Sequence, residues 1–180
     1  MKSAMNILKI TLLSIIAAAC LNVQLLPRPM NLEFTSVIAF VTGMVFGVLF
    51  GALLGASVMF VNGFLSPYGF AGIALPFQVV GMASIGVVGG LYSKMAKFNS
   101  SKGGFIETAV LGAFLTFIYD VFTNIGIAFW IAFSGVPFPQ ALLVALIPGA
   151  IPLVIHVIWN TAVFGALTVP LVNAMRKMLG

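Results

Sequence analysis

Charge, cysteine and histidine are all scarce in this 180-residue chain. Only 6% of its residues are charged, with one cysteine, one histidine and three acids, and Asp120 is the only aspartate. A single thiol, Cys20, excludes an internal disulfide and a cysteine-based metal cluster, and it leaves the redox compartment open. One histidine and three acids poorly supply a hydrolytic metal site or a Ser-His-Asp triad, so no metal, no cofactor and no catalytic residue are expected. No phosphate-binding Walker loop is present either, and any use of ATP has to reside in partners. The eight Lys and Arg outnumber the acids, but they lie in short clusters beside apolar runs. They read as topology determinants and not as a nucleic-acid surface.

What the chain has in abundance is apolar sequence. Hydrophobic residues make up 62% of it and its mean hydropathy is +1.21. That composition predicts an all-α integral membrane protein, one transmembrane domain over residues 1–180 surrounded by lipid.

Lys2 and Lys9 precede an apolar run, Ile10 to Leu26, that Pro27, Arg28 and Pro29 terminate. Ala17-Ala18-Ala19-Cys20 approaches a lipoprotein cleavage site, yet apolar character continues past Cys20, so a retained span is expected. Ser14 and Ala18 would let another helix approach closely, either within the bundle or from a partner. Thr35 to Phe64 has glycines at 43, 47, 51 and 55, every fourth residue. Lys94, Lys97 and Lys102 mark the loop after the Pro76 to Tyr92 span as cytoplasmic, on the same side as Lys2 and Lys9. An even number of crossings must separate the two clusters. Two short helices bending near Gly51 to Gly55 satisfy that parity. Further on, Gln140 to Ile147 is too short to cross, and Pro148 and Pro152 predict a kink or re-entry. Pro152 to Met175 recrosses to Arg176-Lys177. The sum is a bundle of six transmembrane helices with both termini cytoplasmic.

Gly104 to Ser134 lacks proline and would reach roughly 46 Å as one helix, so Asp120 lies at membrane depth. Stepping by four gives Thr108, Gly112, Thr116, Asp120, Asn124 and Ala128, a small or polar stripe that should face the interior or a watery pocket. His156 and Asn160 share a face of the last span, with Trp159 beside them. If the two faces meet, they frame a pocket for a compact polar, aromatic solute: the carboxylate and amides orient it, and Trp159 and Tyr119 stack on it. Gln78 is the next candidate contact. The competing reading is that these groups only hydrogen-bond neighbouring helices. Glu107 is expected to be solvated or lysine-paired. Glu33 and Arg28, in an outer loop, either gate a site or mark the interface.

The run Gly43-Met44-Val45-Phe46-Gly47-Val48-Leu49-Phe50-Gly51-Ala52-Leu53-Leu54-Gly55-Ala56, then Pro76-Phe77-Gln78 leading to Gly86-Val87-Val88-Gly89-Gly90, resembles the substrate-binding S components of energy-coupling factor (ECF) transporters. Asp120 to Asn124 and His156-Val157-Ile158-Trp159-Asn160 with Pro170 to Lys177 fit the same family. The resemblance covers most of the chain and lies in the order and spacing of glycine-rich patterns. It implies a six-helix, non-catalytic subunit of the cell membrane that captures a vitamin for ATP-driven uptake. Its partners would be a membrane T component and two cytoplasmic ATPases. The family docks on its T component through two alanines spaced by four in the first span; Ser14 with Ala18 is the nearest equivalent here. The resemblance also makes Pro27 to Phe34 and Phe64 to Leu75 lids over the pocket. Two other readings are a self-sufficient proton-coupled carrier titrating at Asp120 and His156, and a structural membrane subunit.

Overall fold

The computed structural model describes residues 2–27, 29, 31–95 and 102–179, excluding the side chains of 2–6, 102, 103 and 179. Arg28 and Lys97, singled out above, lie outside the described residues, as do the side chains of Lys2 and Lys102. Among the described residues there are six helices and no strand: α1 (Lys2–Leu25), α2 (Thr35–Phe46), α3 (Val48–Leu65), α4 (Ala74–Met95), α5 (Lys102–Phe133) and α6 (Phe138–Leu179). Five are long and apolar enough to cross a membrane, which makes a multi-pass membrane protein; α2 is the short one. Twelve residues of α2 rise about 18 Å, less than the roughly 30 Å hydrocarbon core.

The break between α2 and α3 falls at Gly47, and not at Gly51 to Gly55 as the spacing suggested. Gly47 adopts φ 101°, a conformation that side chains rarely allow, and there the chain turns back on itself. A Cβ at Gly51 would lie 2.6 Å from Gly43 Cα, so the two helices touch backbone to backbone just beyond the turn. The later glycines stay helical and serve as contacts. A Cβ on Gly43 would strike the Gly86 carbonyl, one on Gly55 would come within 2.5 Å of the Met82 carbonyl, and one on Gly89 would strike the Phe40 carbonyl. The α2–α3 hairpin thereby seats on α4 with almost nothing between the backbones. Fully buried Phe40 and Phe164 pack near this seam, their ring centroids 5.4 Å apart and their planes tilted by 55°.

Antiparallel α5 and α6 form the other half of the bundle. Gly112 meets Phe164, Thr116 meets Asn160, Asp120 meets His156 and Asn124 meets Gly149 in a single descending register. All six residues of the stripe from Thr108 to Ala128 are buried. The proline-bracketed segment neither re-enters nor breaks: α6 runs unbroken for 42 residues through Pro148, Pro152 and Pro170. Each proline forfeits one backbone hydrogen bond, a loss that a long apolar helix packed along α5 absorbs. At about 63 Å, α6 outruns a bilayer of roughly 45 Å. The first helix is the least enclosed, with 11% of its span buried against 44% for α4.

Candidate functional site

Two of the three acids, Asp120 and Glu33, converge on the one histidine, His156. In α5, Asp120 faces α6, where the helical periodicity of His156 and Asn160 turns both inward. His156 Nδ1 lies 2.9 and 3.0 Å from the two Asp120 carboxylate oxygens. Its other ring nitrogen, Nε2, lies 3.4 Å from Glu33 Oε1. Glu33 comes from the segment joining α1 to α2 and is 95% buried. It accepts hydrogen bonds from Asn160 Nδ2 at 3.0 Å and from the Ser36 backbone N–H at 2.9 Å, while its own carbonyl accepts the Trp159 indole N–H at 2.8 Å. Asn160 Nδ2 also donates to Thr116 Oγ1 at 3.0 Å. Three helices, α2, α5 and α6, are thereby tied to the loop that carries Glu33.

A histidine between two carboxylates must carry both ring protons, or borrow one from a carboxyl, for each nitrogen–oxygen contact to hold a proton. Two shared protons leave the Asp120–His156–Glu33 chain with one net negative charge. Burial alone would push the Glu33 carboxyl up, but the hydrogen bonds and charge of His156, with the bonds from Ser36 and Asn160, outweigh it and hold the group at about 2.

This chain forms one wall of a cavity of about 270 Å³. Glu33 and His156 line it together with Gln24 at the end of α1, Asn31, Met59 and Asn62 near the end of α3, Gln78 and Met82 in the first turns of α4, and Tyr119. Ser66, Tyr68, Phe70 and Ala71, from the loop between α3 and α4, close the far side. Both loops named as lids in the sequence therefore reach the cavity: the first brings Asn31 and Glu33, the second Ser66 to Ala71. Asn31 Nδ2 donates to the Pro152 carbonyl at 2.9 Å, pinning the first loop across α6.

Of the residues singled out from sequence, His156, Gln78 and Tyr119 line the cavity. Asp120 stands one layer back, behind His156. Asn160 is fully buried and holds Glu33 in place. Trp159 packs edge-on against Phe34, with ring centroids 5.5 Å apart, and anchors the Glu33 backbone. Asn124 turns back to donate to the Asp120 carbonyl at 2.8 Å. Ser14 and Ala18 are exposed on α1, on the outer surface, and Ser14 Oγ donates to the Ile10 carbonyl. Glu107 is exposed. Gln24, Asn31 and Asn62 join the cavity without having been candidates from the sequence; for Gln24 and Asn62 the available signal was an amide in the closing turns of an otherwise apolar helix, and for the loop residue Asn31 there was none. Among the described residues no cluster of three metal-ligating side chains occurs. Comparison with protein-family models, with curated proteins and with solved structures gave no match.

Proposed function

We propose that the chain is the substrate-capturing membrane subunit of an ECF-type transporter of the cell membrane, holding a small vitamin or related heterocycle for uptake by a T component and two ATPases. The observation that carries the reading is the cavity itself: a polar chamber in an apolar bundle, walled by a buried carboxylate–imidazole chain and roofed by two loops. A bundle needing only cohesion has no use for a chamber at the ends of its helices. Its position also fits. The cavity gathers the C-terminal ends of α1 and α3 and the N-terminal end of α4, whereas Lys9, Lys94, Arg176 and Lys177 lie toward the opposite helix ends. By the positive-inside rule the cavity then opens outward. The test is mass spectrometry of small molecules released from the chain purified in mild detergent, beside identification of its protein partners. A retained heterocycle and a copurifying ATPase pair are expected; recovery of neither would sink the reading and leave the polar residues a purely structural role.

The direct contact of Asp120, His156 and Glu33 favours a second reading, a self-sufficient carrier that moves protons through these groups. Solute uptake into vesicles lacking ATPases, abolished when the proton gradient is dissipated, would establish it over the first.

A further inference from the structure

We infer that the cavity is built for a compact, flat solute without an acidic group, one that offers N–H donors or a positive charge to Glu33. The inference rests on the reading of the cavity as a binding site and narrows its occupant. Size sets the first limit: a cavity of about 270 Å³ lies just below the roughly 300–1,000 Å³ of ordinary ligand pockets. Charge sets the second. The described lining carries one carboxylate, Glu33, and an imidazole already engaged by two carboxylates. It carries no lysine or arginine among the described residues. Along their helices, Lys9 is 15 residues from Gln24, Lys94 is 16 from Gln78 and Arg176 is 20 from His156. These spacings amount to roughly 22 to 30 Å, beyond reach of the cavity. Arg28 alone is close to the cavity in sequence, and it lies outside the described residues. An anion entering here would add a second negative charge beside the Asp120–His156–Glu33 chain in a medium of low dielectric, while a cation would neutralise the first.

Chemistry supplies the third limit. Glu33 Oε2 accepts the Ser36 N–H and keeps a lone pair for a ligand donor. Asn62 and Gln78 line the same cavity with primary amides, which pair in plane with the donor and acceptor edges of amides, amidines and nitrogen heterocycles, while Gln24 Nε2 is held by Thr35 Oγ1 and Asn31 Nδ2 by the Pro152 carbonyl. Met59, Met82, Phe70 and Tyr119 add apolar and aromatic lining against which a flat ring can pack.

Benzamidine, benzamide and benzoate share one flat skeleton and differ in charge, so they make a matched probe series. Saturation-transfer NMR on the full chain in detergent should detect benzamidine and benzamide but not benzoate. Glu33→Gln should weaken benzamidine at least tenfold while changing benzamide less, and Gln78→Leu should weaken both. Benzoate binding as tightly as benzamidine, or no binding by any of the three to the folded chain, overturns the assignment of ligand class; loss of the benzoate signal in Arg28→Gln would name the cation responsible. A separate outcome tests the parent reading. Ala71→Trp fills the cavity, and probe binding that survives it would show that the cavity is not the binding site.

Discussion

Asp120 is the residue on which the polar interior depends, because it meets both Nδ1 of His156 and, through it, Glu33. Asp120→Ala leaves an imidazole facing a void in a buried setting, and removing one partner of such a pair costs about 3–5 kcal/mol. Unfolding of that variant in detergent–SDS mixtures should begin at a clearly lower SDS fraction than in the wild type, whereas Asp120→Asn, which keeps an acceptor, should fall between the two. Glu33 gives a prediction with a definite sign. Its carboxyl is held at about 2 in the folded chain against an ordinary 4.5, so its contribution is fully present above pH 4.5 and is lost as the pH falls from there through about 2. Glu33→Gln should remove that part of the acid destabilisation, read as a shallower fall of melting temperature over this window. The Asp120, His156 and Asn160 group was legible in sequence because rare polar residues at helical spacing stand out in an apolar chain. Glu33 was not, since nothing in residue spacing says that a loop will fold over a helix 123 positions later.

The α2–α3 hairpin shows the same boundary between pattern and placement. Glycine at every fourth position announces a close-packed face, yet a groove and a turn look alike in such a pattern; only the positive φ of Gly47 separates them. Of the kink or re-entry expected at Pro148 and Pro152, the re-entry does not occur, since a proline marks a helix that can break and not one that must. Packing at the seam predicts how little tolerance it has. A Cβ at Gly86 would strike the Gly51 backbone, which cannot move without separating α3 from α4. Gly86→Ala should therefore cost about 3 kcal/mol, the upper end of ordinary overpacking, measured by the same SDS titration. On the same helix Ser84 is exposed and bonds only to the Val80 carbonyl at 2.8 Å, so Ser84→Ala should stay within about 0.5 kcal/mol of wild type.

For the whole molecule, function turns on which end of the bundle faces outward. The described cationic side chains and the cavity occupy opposite ends, and a membrane protein inserted with its lysines inside must present the cavity outside. In the proposed orientation the loop carrying Tyr68 faces the medium and Lys177 the cytoplasm; both side chains are exposed. The natural thiol, Cys20, is buried and can be replaced by alanine to clear the background. In that background, Tyr68→Cys should react with a membrane-impermeant maleimide on intact cells, and Lys177→Cys should react only after permeabilisation. The reverse pattern would place the cavity on the cytoplasmic side, where a subunit capturing solute for uptake has nothing to capture. The ECF proposal would then fail even if the cavity binds its ligand, because capture from outside is the step the polar chamber is proposed to perform.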